Sequence, residues 1–226
     1  MSNRVVEKRI LLRRQLPAGA APPSKTEAAL PARYSYLLSP AQSKGARAQM
    51  LFHPESQFDL AQRLRTVGIT LGEAFSFVSP LYFRAKLAYA SAFSRPSNGV
   101  PGTLVITPSR GLLPPEMIVT LAEFRAITSE NITAHNPAYR DPLERDLRAL
   151  AEKASADVRV VLLGSIATHK YLSLLLRVFG KRVLVPSKFI GLGNMSRGAL
   201  LLQCLREGRE LEYVPAAEIA ESSRLR

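Results

Sequence analysis

The sequence predicts an α/β domain of three layers, with a central, mostly parallel sheet and helices on both faces. Three observations lead there. Short apolar runs rich in Val, Ile and Leu recur through residues 55–215 and alternate with stretches of helical periodicity, the pattern of strands joined by helical crossovers. Helix-start chemistry stands between these runs, at Ser79-Pro80 and at Asp141-Pro-Leu-Glu144. The chain has 226 residues, 46% of them hydrophobic and 22% charged, enough for one domain with its own core and no need of disulfides or metal to stay folded.

In chain order, residues 1–54 read as a basic arm rich in Pro and Ala. Arg4, Lys8, Arg9, Arg13 and Arg14 head it, and the breaker-rich stretch 16–24 has no usable periodicity. The α/β domain follows over 55–215. A short helix over 58–65 stops near Gly68, and 69–73 reads as a buried strand running into a loop. Ser79 as N-cap and Pro80 at the first helical position open the next helix. A strand over 104–106 leads into the turn 108–115, and the capping box at Asp141 starts a helix with Leu143, Leu147, Leu150 and Ala154 on one face. The clearest strand is 158–163; Gly164-Ser165 and an apolar helix ending before Gly180 follow it. A strand over 182–185, a loop over 186–193, a helix over 196–207 stopped by Gly208 and a last strand over 210–214 complete the domain, and 216–226 is a tail.

Composition excludes several function classes. Cys204 is the single cysteine, which rules out an internal disulfide framework, a four-cysteine iron–sulfur cluster and a cysteine-rich zinc site. No His, Cys or Asp pair has metal-ligand spacing, and His135 and His169 read as surface or capping residues. The glycines of 191–198 have the wrong spacing for a nicotinamide-dinucleotide fingerprint, and no phosphate-loop motif occurs, so no cofactor is expected. Arg177 and Lys181 interrupt the most apolar region, and Ile10, Leu11 and Leu12 are too short an apolar core for a secretory signal; the expectation is a soluble, cytoplasmic monomer without a membrane segment. Thirty-one Lys and Arg against 18 Asp and Glu leave +13, which points to a polyanionic partner, nucleic acid first.

In an open parallel sheet, ligands bind beyond the carboxyl ends of the strands. The residues there are Glu73, Phe75, Phe77 and Ser79 after the first strand, and Thr107, Ser109 and Arg110 after the second. Ser165 and Lys170 follow the third, and Ser187, Lys188, Asn194, Ser196 and Arg197 the fourth. Loops that open into helices offer unpaired N–H groups for phosphate, although each Ser is also a plain N-cap. Glu73 is the only carboxylate of the set. It reads either as a water activator and cation stabiliser or as a structural partner of Arg84 or Lys86. Phe75, Phe77 and Tyr82 are candidates for stacking on a base, or core residues.

The order of these motifs resembles the uracil-DNA glycosylase superfamily over roughly residues 69–210. Leu71-Gly-Glu73 stands where that family's first motif carries a catalytic acid, and Val160-Val-Leu-Leu-Gly-Ser-Ile-Ala-Thr-His-Lys170 is similar to its V-F-L-L-W-G-S-Y-A-Q-K-K strand. Val183-Leu-Val-Pro-Ser187 stands in the place of its H-P-S loop, and Ser196-Arg-Gly198 in that of its R-G-F-F-G-C segment. The turn 106–115 is similar to glycosylase-like domains attached to archaeosine-synthesis enzymes. The resemblance implies a uracil-DNA-glycosylase-like fold and a DNA glycosylase that flips a base out and leaves an abasic site. Glu73 would be catalytic; Phe75, Phe77, Ser79, Thr107 and Asn194 would hold the base; Ser109, Arg110, Ser165, Lys170, Ser187, Lys188, Ser196 and Arg197 would hold DNA phosphates. Val185 replaces the His of H-P-S, and Thr107 and Ser109 occupy the region of the uracil-reading Asn, so the implied base is modified rather than uracil, and defence against phage with modified cytosine is one setting. No sequence feature marks a desolvated lysine, which favours a monofunctional enzyme. The rival readings are a non-catalytic nucleic-acid-binding domain on the same fold and a small-molecule nucleoside enzyme, and the latter leaves the basic excess unexplained.

Overall fold

The computed structural model describes residues 33–165 and 169–219, with His169 by its backbone alone. Most of the basic arm, Thr168 and the end of the tail lie outside the described residues. The elements are, in chain order, β1 (Arg33–Leu38), α1 (Ala46–Phe52), α2 (Asp59–Thr66), β2 (Ile69–Thr70), α3 (Leu71–Val78), α4 (Tyr82–Phe93), β3 (Thr103–Ile106), β4 (Leu112–Leu113) and β5 (Ile118–Val119). They continue with α5 (Leu121–Thr128), α6 (Pro137–Lys153), β6 (Val158–Leu163), α7 (His169–Phe179), β7 (Val183–Pro186), α8 (Asn194–Glu207) and β8 (Tyr213–Pro215).

Six strands form one mixed sheet in the order β4-β3-β1-β6-β7-β8. The four inner strands are parallel, and the short β4 and β8 close the two edges antiparallel. β1 lies inside the sheet, paired in register with β6 from Arg33 opposite Val158 to Leu38 opposite Leu163, and on its other side with β3. Residues 33–52, assigned to the arm on sequence grounds, therefore form a central strand and a helix of the domain. A strand with neighbours on both sides and helices over both faces is buried on both of its faces, here from Ser35 to Leu38, so it lacks the polar–apolar alternation that marks half-buried strands. Tyr36 and Leu38 enter one core and Leu37 the other, while Ser35 is buried with its hydroxyl donating to Pro101 O at 2.8 Å.

Helices cover both faces. One core joins Val105, Val161 and Leu163 to α1–α5 and α8; the other joins Ile106, Val160, Leu162 and Val185 to α6 and α7. The expected α/β class with a mostly parallel sheet thus holds. Where α8 crosses α4 the helices come close, because a Cβ on Gly198 would stand 3.0 Å from Leu81 Cγ and 3.3 Å from Tyr82 Cα.

Several element boundaries differ from the sequence reading. The strand expected over 69–73 is two residues long and pairs with β5 in a separate two-stranded sheet. Thr70 then caps α3 in a box with Glu73, so Gly72 and Glu73 are helical. Ser79 ends α3 instead of opening a helix, although its Oγ still accepts from Phe83 N–H at 3.3 Å in the first turn of α4. α6 starts at Asn136-Pro137, where the Asn136 side chain accepts from Ala138 N–H and Pro137 holds the first position; the expected box at Asp141 lies inside the helix. α8 begins at Asn194, which puts Ser196 in its first turn and not at its cap.

The turn after β3 is locked by its own backbone. Thr107 N–H and Oγ1 both donate to Gly111 O, at 2.8 and 2.9 Å. Gly111 has φ +66°, and a Cβ there would meet Asp146 Oδ2 at 2.1 Å and Pro142 O at 2.6 Å. Gly111→Ala is expected to lower the unfolding free energy by about 2–4 kcal/mol, the combined cost of a left-handed Ala and an overpacked contact, measured by urea denaturation. A loss within experimental error of zero would show that this turn relaxes freely.

Candidate functional site

The connection after β1 leads to β3 on one side, while that after β6 leads to β7 on the other. Adjacent parallel strands whose chains leave in opposite directions open a crevice at their carboxyl ends. A cavity of about 670 Å³ occupies that place. Its walls are the 39–44 loop after β1, Ser165 and Lys170 after β6, Asn194 at the start of α8, and Ser79, Tyr82, Phe83 and Lys86 from the α3–α4 region. The loop after α5 contributes Glu130 and Asn131. Its size and its mix of rings, hydroxyls and charges suit a ligand of nucleotide dimensions.

Five of the residues singled out from sequence meet in this cavity: Ser79, Tyr82, Ser165, Lys170 and Asn194. The others take up different tasks. Glu73 lies outside it, in a shallow recess with Thr70, Ser76 and Arg84. Its Oε2 accepts from Thr70 N–H and Oγ1 at 2.9 Å each, and its Oε1 from Arg63 Nη2 at 2.9 Å. The Thr70 N–H is the main cause that holds the Glu73 carboxyl below its ordinary range, with Arg63 adding to it against desolvation. The structural partner weighed from sequence, Arg84 or Lys86, is in fact Arg63. Phe75 is wholly buried in the core between Phe83 and Phe124, and Phe77 stacks on Phe58 at 5.0 Å with the Arg47 guanidinium 4.4 Å from its ring centre. Neither ring reaches the cavity.

Thr107 is consumed by the Gly111 turn, and Ser109 Oγ donates to Ala126 O at 2.8 Å at the end of α5. Arg110 and Lys188 are exposed, as is Ser196 on the outer side of α8, while Ser187 stands in the short 3-10 turn after β7. Arg197 is 6% exposed and donates to Phe189 O at 2.9 Å and Gly164 O at 3.4 Å. It is a brace between the end of β6 and the β7–α8 loop rather than a surface phosphate ligand.

Of the residues that give the cavity its chemistry, sequence reasoning passed over Ser39 and Glu130, named Tyr82 as a stacking candidate, and weighed Lys86 only as a structural partner of Glu73. Ser39 follows the strand that was read as arm. Lys86 is 1% exposed, with Nζ donating to Ser39 O and bonding Ser39 Oγ at 2.8 Å, and with the Tyr82 and Phe83 ring centres 4.5 and 5.2 Å away. Its signal was positional: residues 82, 86 and 89 share one helical face, and Tyr82 and Tyr89 are apolar partners of that face. Burial pushes the Lys86 ammonium down to about 7, and the positive charge of Arg197 adds to the effect. Tyr82 forms part of the wall, and its buried hydroxyl has no hydrogen-bond partner among the described residues. Glu130, which accepts from Asn136 Nδ2 at 3.0 Å, is the carboxylate of the cavity wall. No cluster of three or more His, Cys, Asp or Glu among the described residues is arranged to hold a metal ion, and no described helix is long and apolar enough to cross a membrane.

The chain matches no protein-family model, no curated protein and no solved structure.

The Lys86 environment has a measurable thermodynamic consequence. Its amine titrates near 7 in the folded chain and near 10.5 unfolded, so between those values the unfolded chain holds the extra proton and stability rises with pH. The groups around it are Arg197 from α8, Tyr82 on its own helix, and Lys44, Lys170 and Glu130 across the cavity. Lys86→Met is expected to remove a component of up to about 1.4 kcal/mol per pH unit from that window, measured by urea denaturation at pH 7 and 9. An unchanged slope in the variant would place the titration elsewhere.

Proposed function

We propose that this protein is a DNA glycosylase that receives an extruded nucleotide in the cavity between the ends of β1 and β6 and hydrolyses its N-glycosidic bond. The observation that carries the reading is the cavity itself: about 670 Å³ at a topological switch point, with Lys44 and Lys170 in its wall, aromatic side chains beside them and one carboxylate. The net charge of +13 supports a polyanionic substrate. The resemblance of residues 160–170 to one strand motif of the uracil-DNA glycosylase superfamily supports the same reaction class, and the missing uracil-reading residues favour a modified base.

The acidic role assigned from sequence to Glu73 passes to Glu130 in this reading. Cleavage of the glycosidic bond builds positive charge on the sugar, and a carboxylate facing the bound nucleotide stabilises that charge or orients the attacking water. Glu73 acts only in the cap of α3. Ser165 and the start of α7, with Lys170, would hold a flanking phosphate, and Tyr82 and Phe83 offer rings beside the base.

Mass spectrometry of bases released from unmodified, uracil-containing and substituted-cytosine phage DNAs tests the reading. One base is expected to appear, to fall by about 10²-fold or more in Glu130→Gln, and to persist in Glu73→Gln. Salt-sensitive binding without release from any DNA would instead establish a non-catalytic nucleic-acid-binding domain. Binding itself is expected to lose about 0.9 from its log–log salt slope for each phosphate contact removed, so Lys44→Gln combined with Lys170→Gln lowers the slope by nearly 2. An unaltered slope would move the phosphate path away from the cavity.

A further inference from the structure

We propose that Lys86 is an amine nucleophile that attacks C1′ of the deoxyribose held in the cavity, so that the enzyme works through a covalent imine; this deepens the glycosylase reading and rests on it. Lys86 stands in the cavity wall yet is 1% exposed. Among the described residues no carboxylate pairs with it, and its polar contacts are both with Ser39. The charge that acts on it, Arg197, has the same sign.

A buried ammonium without a counter-ion is expensive, and an apolar side chain of similar volume would fill the site at lower cost. The surroundings instead suit the neutral amine. The Tyr82 and Phe83 rings pack beside Nζ, and Ser39 O and Oγ accept two hydrogens, the number a neutral amine has, which leaves its lone pair unengaged. Desolvated lysines beside another cation are the form in which proteins present a nucleophilic amine at neutral pH. The depressed ammonium of Lys86 agrees with that arrangement.

The step balances without an oxidant or reductant. The Nζ lone pair forms a bond to C1′ while the C1′–base bond breaks, and the base leaves with that electron pair and takes up the proton released from Nζ. Breaking C1′–O4′ opens the sugar, O4′ takes a proton from water, and nitrogen and C1′ become a protonated Schiff base. The hydroxide left by that proton transfer adds to C1′, and collapse of the adduct, with its hydroxyl proton passing to nitrogen, gives the sugar aldehyde and the free lysine. Ser39 is a positioning residue here, since it touches the amine and not the sugar.

The test is reductive trapping of the full chain with cyanoborohydride and a DNA oligonucleotide that carries one abasic deoxyribose, followed by peptide mapping. The adduct is expected on the peptide that contains Lys86, to fall by about tenfold or more in Lys86→Arg, and to persist in Lys153→Arg, a change at the exposed end of α6 outside the cavity. The map of the unmodified protein assigns the lysine even if Lys86→Arg fails to fold. An adduct on another lysine, or none while base release continues, overturns the proposal and leaves the glycosylase reading in place. An adduct on Lys86 with no base released from any DNA upholds the reactive amine and removes the glycosylase reading. Neither adduct nor release overturns both.

Discussion

The parallel ladder between β1 and β6 is the contact on which the remaining architecture depends. Six consecutive residues of each strand face one another, and β1 passes its other edge to β3. The backbone groups of β1 are thereby satisfied from both sides, and its side chains supply both cores. The same ladder sets the chemistry. Because the chain leaves β1 toward β3 and leaves β6 toward β7, no crossover fills the space beyond their ends, and side chains from six separate parts of the sequence line it.

Two buried cations beside this crevice show how the fold treats charge differently according to its neighbours. Arg197 spends its guanidinium on the carbonyls of Phe189 and Gly164, and stacks near the Phe189 ring at 5.3 Å. Its charge is fixed and its hydrogen bonds join β6 to the loop before α8, so it belongs to the scaffold. Lys86 has a compact head group that can lose its proton, and the protein surrounds it with rings, a hydroxyl and one carbonyl instead of a carboxylate. An arginine could not make that exchange at any accessible pH.

The legible parts of this fold are those whose local chemistry has one structural solution. The run over 158–163 is apolar, β-branched and bounded by turn residues, and it is a strand over those same residues. The helix bearing Leu143, Leu147 and Leu150 keeps that face in the core although it starts a turn earlier than Asp141, because Asn136-Pro137 supplies a stronger start. β1 was hidden because Tyr34-Ser-Tyr-Leu-Leu38 is short, interrupted by a buried serine and set in a basic, proline-containing stretch. Once β1 was missed, Ile69 and Thr70 took its place as first strand, and Glu73 acquired a position at the sheet edge that belongs to Ser39. At the site, Ser165 and Lys170 were within reach because they directly follow a recognisable strand. Lys86 and Glu130 were not, since the lysine suggests itself only as an ion-pair partner of Glu73 and a glutamate in a loop reads as solvated until the tertiary contacts around it are known.

The ends of the sheet carry a consequence of their own. β4 is two residues long and runs into Pro114, and β8 is three residues long and finishes on Pro215. The long parallel strands are therefore enclosed by brief antiparallel borders whose prolines withhold backbone donors. A second molecule finds little unpaired backbone there to use as a template, so the protein can keep a long, strongly apolar interior sheet without inviting strand-by-strand self-association.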